Sequence, residues 1–390
     1  MFDDPDSSEE ESPFPDNDSC EINVLKQLFK TNNHKSYEIS SSSSRACGLH
    51  LSLSNDSSSL AVGLSKKQVQ IYHMSTNGEL TLNNTHCSNS AVRGVRFFNE
   101  NSNLFMTCWI DGTVTLFDSR VNKPVTTFED CSEGAKKTTT SFDINQNDRV
   151  ICASTDIQES GDSFLLFYDV RERAFLGSYW ECHSEDITNV RFHPTNPDLL
   201  ASSSVDGLVN VFDISQSCED DALQYCFNVE NSVETFSWHS SPTKKDWISC
   251  ITTTNDFHLF DVENQDHEVM FSREQITSLI QRTSPIDCNV VAAHNDEPSG
   301  FFLLAGSNYN KGECLRTLKY DNECFSPHLN LQHNNQIVRA SIYNEKEKYL
   351  ITTGEGGLIT VWRCEIHEET ESSKATKRKS HITGYRKKPY

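Results

Sequence analysis

An aromatic residue followed by aspartate closes a short apolar run repeatedly along this chain. The pairs are Phe117-Asp118, Tyr168-Asp169, Phe212-Asp213 and Phe260-Asp261, with Tyr72-His73 before them and Trp362-Arg363 after. Counted at the second residue of each pair, the steps are 45, 51, 44 and 48 residues, and the last gap, 102, is twice 51. A recurrence of this length means that each copy is one supersecondary unit that cannot bury its apolar face alone, so the copies must stack. Residues 183–213, HSEDITNVRFHPTNPDLLASSSVDGLVNVFD, show the unit most clearly. Residues 187–192 form an alternating apolar run, 193–197 a turn and 199–204 a second run. A tight Asp206-Gly207 turn then leads into a third run at 208–212. Alternation with period two between turn residues reads as three antiparallel strands.

The other copies vary around this layout. Residues 91–127 repeat it with their own Asp111-Gly112 turn, and the third copy carries an insertion at 157–163 between its second and third strands. The fifth keeps VETFSWHS, WISCITTTND and FHLFDV but has no opening histidine. Between 276 and 332 only fragments remain (NVVAAH, FFLLAGS, LRTLKY), with a third strand expected near 315–320. The seventh is clear again, from His333 through IVRASIY, YLITTGEGG and LITVW. With His before the first strand, Ser in the second, Asp in the turn and an aromatic-Asp close, the chain resembles the WD-repeat family. That resemblance implies an all-β, seven-bladed WD-repeat β-propeller. It also implies a hydrogen-bonded tetrad of His183, Ser202 (or Ser204), Asp206 and Phe212, with Asp111 in the matching turn of the second blade. A carboxylate between packed sheets has to be paired, which gives such a network its physical purpose. Phe212 stands where the family usually has Trp and cannot donate, so this tetrad is expected to be one hydrogen bond short. The nearby Ser, His and Asp therefore read as a structural network rather than a catalytic triad.

The last copy ends at Cys364 without a fourth strand. An unclosed ring would expose unpaired backbone groups, and the only candidate to complete it is residues 22–29, within EINVLKQLFK, although Leu, Lys and Gln there would also allow a helix. This run is expected to pair with residues 358–362. The domain limits follow: a disordered acidic tail over 1–20, the propeller over 21–366, and a basic tail over 367–390.

The net charge is −22, and it is unevenly placed. The first twenty residues hold eight acidic and no basic groups, while 374–390 hold seven basic and no acidic ones. The body between them stays strongly acidic and repels phosphate backbones, which disfavours nucleic acid as a partner. No apolar run approaches the length of a membrane helix, so no membrane association is expected. The fourteen cysteines include no C-x-x-C pair and are irregularly spaced. They read as reduced thiols of a nuclear or cytoplasmic protein, with neither a zinc site nor a disulfide framework. No phosphate-binding, dinucleotide-binding, nucleophile-elbow or H-E-x-x-H motif occurs, so no catalytic residue, cofactor or metal is expected.

Two features point to partners. Residues 106–120, MTCWIDGTVTLFDSR, resemble the box by which some WD propellers dock on the adaptor of cullin-RING ubiquitin ligases, through Thr107, Cys108, Asp111, Val114, Leu116, Phe117, Asp118 and Arg120. The third copy repeats the ending as Tyr168-Asp169-Val170-Arg171. An arginine two residues after the aspartate can offer its planar fork to a partner's carboxylate or carbonyl, or pair with the Asp of its own or a neighbouring blade. In the tail, Lys377-Arg378-Lys379 and Arg386-Lys387-Lys388 read as a nuclear localisation signal or as a solvated end. The functional expectation is a monomeric, non-catalytic scaffold that binds other proteins through loops of its narrow face and the channel mouth. The alternative is a substrate receptor of a cullin-RING ligase.

Overall fold

A computed structural model of the chain describes residues 15–364 apart from 40–45, 122, 131–135, 241–244, 266 and 298–299. The strands among them group into five four-stranded sheets and one of eight. The larger sheet is two four-stranded units joined at Lys30–Glu38, which lies between Cys324–Asn330 of one and Leu358–Cys364 of the other. Seven antiparallel units result, numbered here as blades one to seven. Their inner strands are Gly48–Leu53, Val92–Phe97, Thr139–Ile144, Ile187–Phe192, Val233–Ser240, Cys288–Asn295 and Val338–Asn344. Each inner strand touches the next and the seventh touches the first, so together they enclose a channel. The fold is a β-propeller.

Strand alternation explains how each blade fills two interfaces at once. In blade four, Ala201, Val209 and Val211 face Phe236, Trp238 and Ile248 of blade five. Their neighbours Leu200, Val190 and Phe212 face Cys152, Leu165 and Phe167 of blade three. Successive side chains of a strand point to opposite faces, and here both faces are buried, so apolar residues fill both sets of positions.

Closure differs from the sequence expectation. Residues 22–29 do not form the closing strand, since Ile22–Leu28 is a helix. Leu25 and Phe29, four residues apart, pack into a core with Ile276, Ile280 and Phe325, while Ile22 and Leu28 stay exposed. One buried stripe at helical spacing suits a helix laid on a surface. The closing strand is the next segment, Lys30–Glu38, in antiparallel register with Leu358–Cys364 from Asn32↔Cys364 to Glu38↔Leu358. It also makes a short parallel pairing with blade six, Lys30↔Leu329 and Thr31↔Asn330. Blade six, legible only as fragments, has its third strand at Leu315–Asp321.

The acidic tail is also shorter than its composition suggests. Residues 15–20 do not belong to it, because Asp16 is buried in blade six. It accepts bonds from the backbone N–H groups of Thr283 and Ser284 at 3.1 and 3.0 Å, from Ser307 Oγ at 2.5 Å and from Arg282 Nε at 3.1 Å. Asp18 bridges Arg282 and Arg316 at 3.2 and 2.7 Å. These two carboxylates are an anchor rather than part of a solvated tail. Residues 1–14, and the basic clusters at Lys377, Arg378, Lys379, Arg386, Lys387 and Lys388, lie outside the described residues.

Candidate functional site

The residues of the tetrad meet in blade four. His183 Nδ1 lies 3.0 Å from Asp206 Oδ2, and His183 Nε2 lies 2.7 Å from Ser202 Oγ. With the ring proton on Nδ1, His183 donates to Asp206 and Ser202 donates to Nε2. Asp206 further accepts the N–H groups of Ser184 and Leu208 at 3.1 and 2.9 Å. Gly207 follows at φ 83°, and a Cβ there would approach the backbone oxygen of Asn231 to 3.2 Å, so the turn needs glycine. Phe212 is buried beside Tyr179, with ring centroids 5.5 Å apart, and contributes packing but no donor. Blade seven has the indole that blade four lacks: Trp362 Nε1 donates to Thr352 Oγ1 at 2.9 Å. In blade two, Asp111 has no histidine partner and is held instead by Ser90 Oγ and Thr113 Oγ1, each at 2.6 Å.

Burial raises the Asp206 pKa, but the bonds from His183 and the two N–H groups outweigh it and hold the carboxyl below its ordinary value. Because the folded pKa is depressed, this stabilisation is present above the unfolded value of about 3.9 and is lost as pH falls through the folded one. Asp206→Ala leaves His183 without its partner and is expected to lower the unfolding free energy by about 1–3 kcal/mol. Chemical denaturation at pH 7 measures this, and an unchanged midpoint would make Asp206 a turn former only.

The arginines singled out at the strand ends are both exposed. Arg120 grips its own Asp118 side-on, Nε to Oδ1 at 2.9 Å and Nη2 to Oδ2 at 2.6 Å, with its side chain 64% exposed. The backbone N–H of Arg171 donates to Asp169 Oδ1 at 2.7 Å, but its guanidinium makes no hydrogen bond or ion pair among the described residues. The first and third strands of an antiparallel blade run the same way. The turns carrying Arg120 and Arg171 therefore lie on the face where the inner strands end.

At that end of the channel stands a group that the sequence reading did not single out. Arg96 and Arg191 are each the fifth residue of an inner strand, in GVRFF and NVRFH, and this shared V-R-F was the available signal. Asp143, fifth in the inner strand between them, is buried. It pairs with Arg96 Nε at 3.0 Å and takes the N–H of Phe192 at 2.9 Å. The channel cavity, about 400 Å³, is lined by Arg93, Arg96, Arg191 and Arg339 together with polar groups such as Ser141 and Asn189. Burial pushes His50 and His294 down to about 4 and about 3, so both channel histidines are neutral at pH 7. Among the described residues, no three His, Cys, Asp or Glu side chains are grouped to hold a metal ion. No helix there is long and apolar enough to cross a membrane.

The family profile described as "WD domain, G-beta repeat" matches residues 175–213, from the outer strand of blade three through the tetrad of blade four. Those residues match one WD repeat. It is similar over most of its length to the WD repeat-containing protein 89 homolog of Dictyostelium discoideum, at 23% identity covering 90% of this chain and 95% of that one. An uncharacterised WD repeat-containing protein of Saccharomyces cerevisiae is also 23% identical, over 78% of this chain and 75% of its own. Methylosome protein WDR77 of Xenopus laevis is 26% identical over a shorter stretch, 42% of this chain and 46% of its own. WD-repeat proteins generally mediate interactions between proteins.

Proposed function

We propose that this chain is a non-catalytic platform that assembles other proteins on the face where the inner strands end. The observation that carries the reading is the placement of arginines. Arg96 and Arg191 stand at the channel end, and Arg120 and Arg171 at the outer turns of the same face, on a chain whose net charge is −22. The tetrad supports a non-catalytic reading in another way: His183 is spent on Asp206 and Ser202 inside a blade, away from the channel lining. The test compares proteins co-purified from cells with the tagged full chain and with Arg339→Ala, a substitution at the opposite end of the channel. Partners should survive Arg339→Ala and disappear when the arginine face is altered. The reverse pattern would place the platform on the other face.

A second reading, a substrate receptor of a cullin-RING ligase, is favoured by one observation. Arg120 and Arg171 occupy equivalent turns of adjacent blades and both are exposed. Exposed ion pairs exchange easily for a partner, so the grip of Asp118 on Arg120 is no barrier. Arg120→Ala with Arg171→Ala is expected to weaken capture of the ligase adaptor by roughly tenfold or more, with the melting temperature nearly unchanged. A folded double mutant that still captures the adaptor would remove these arginines from the interface.

A further inference from the structure

The two ends of the channel differ in charge. Near the start of the inner strands, Arg339 is held by Glu355, with Nε to Oε1 at 2.7 Å, and Glu234 stands close to it. Arg93 is the other cation there, so two arginines meet two glutamates. At the opposite end, Arg96 pairs with Asp143, and Arg191 lies within the field of the same carboxylate without an ion pair to it. Arg191 Nη1 donates to the backbone oxygens of Val190 and Phe142 at 2.9 and 3.4 Å. Its Nε–Nη2 edge has no partner among the described residues. Burial lowers its pKa, with Asp143 opposing, yet a guanidinium stays charged at any physiological pH. A half-buried guanidinium with a free side-on edge is a receptor for a planar anion.

We propose that this edge of Arg191 receives a carboxylate side chain from an acidic peptide segment of a partner, entering the channel from the face where the inner strands end. The proposal rests on the platform reading and names the chemistry of the partner. Inside the rim, Arg96, Arg191 and Asp143 leave one positive charge, which matches a monoanionic carboxylate. A phosphate dianion would set a second negative charge beside Asp143. Ser141, Asn189 and Thr235 line the passage as a bonded row, Ser141 Oγ donating to Asn189 Oδ1 at 3.1 Å and Asn189 Nδ2 to Thr235 Oγ1 at 3.0 Å, which leaves the Thr235 hydroxyl hydrogen for an entering carbonyl. Asn55, Asn99 and Gln146 border a mouth of about 610 Å³ that shares Arg96 with the channel. Glu100, exposed at the same mouth, repels an incoming acid, so the attraction begins only past the rim.

The test is fluorescence anisotropy with a labelled hexaglutamate peptide, with hexaglutamine as its neutral control. The protein is the full chain with Lys377, Arg378, Lys379, Arg386, Lys387 and Lys388 replaced by Gln, so that the tail cannot bind the probe. Hexaglutamate is expected to bind, more weakly as salt rises, and hexaglutamine is not. Arg191→Met should weaken binding at least tenfold. Glu100→Gln, an exposed substitution that keeps the fold, should strengthen it about twofold. If Arg191→Met fails to fold, Arg191→Lys takes its place, with a loss of at least threefold expected because the flat two-donor edge is gone. Absence of hexaglutamate binding, or binding indifferent to both Arg191 and Glu100, overturns the proposal. So does a phosphoserine hexapeptide that binds tenfold more tightly than hexaglutamate. Cellular partners that persist on the Arg191→Met chain but are lost when Arg96, Arg120 and Arg171 are replaced would sink the acidic ligand and leave the platform standing.

Discussion

Asp16→Ala is expected to lower the unfolding free energy by about 3–5 kcal/mol, the cost of removing one partner from a buried ion pair. Its side chain is fully buried and that of Arg282 is only 12% exposed, so the guanidinium would lose its buried carboxylate where little water can replace it and keep only the more exposed Asp18. Ser307 and the N–H groups of Thr283 and Ser284 would lose an acceptor in the same step. Burial raises the Asp16 pKa, but the bonds from Ser307, Ser284 and Arg282 bring it below the ordinary value. The stabilisation therefore holds above the unfolded pKa and fades as pH falls through the folded one. Chemical denaturation of parent and variant at pH 7 and at about pH 3, below the ordinary carboxylate range, gives the measurement, and the gap between them should narrow at the lower pH. A midpoint that does not move at pH 7 would mean that residues 15–20 merely lie on blade six.

Deleting residues 1–38 should have a still larger effect. Within Lys30–Glu38, residues 32–38 pair with Leu358–Cys364 and residues 30–31 with blade six, so its loss opens an edge in the ring and separates two blades. The expected loss is on the order of 5 kcal/mol, comparable with the whole stability of a typical domain, and would appear as a broad, early melt or as insoluble protein. Deleting 1–14 should leave the melting curve unchanged. Deleting 1–29 should fall between the two, because Asp16, Leu25 and Phe29 are lost but the closing strand stays. Three identical melting curves would show that the ring does not depend on its first strand.

What the sequence shows and what it hides follow from how local each signal is. Blades two to five were legible because their middle strands bury both faces and their inner strands line the channel with one, so apolar residues run continuously or alternate within six or seven positions. The Asp111-Gly112 and Asp206-Gly207 turns were equally plain, since a positive φ at the glycine is a demand made by the turn alone. Blade six was faint because the buried Arg316 breaks the apolar pattern of its third strand, binding Asp18 from the far end of the chain.

The sequence by itself therefore determined the repeat, its period and the order of the first three strands of a blade, all set by residues within about thirty positions of one another, while for His183 the family resemblance left Ser202 or Ser204 open and the structure decided for Ser202. Only the tertiary structure decided which segment closes the ring. Lys30–Glu38 is an outer strand with solvent on most of its side chains, and its backbone pairing with a strand more than three hundred residues away leaves no apolar alternation to read. The same holds for Asp16, whose carboxylate looks like any other in an acidic stretch until Arg282 meets it. It holds too for Arg96, Asp143 and Arg191, which lie 47 and 48 residues apart and form one charged group only because three inner strands converge on the channel.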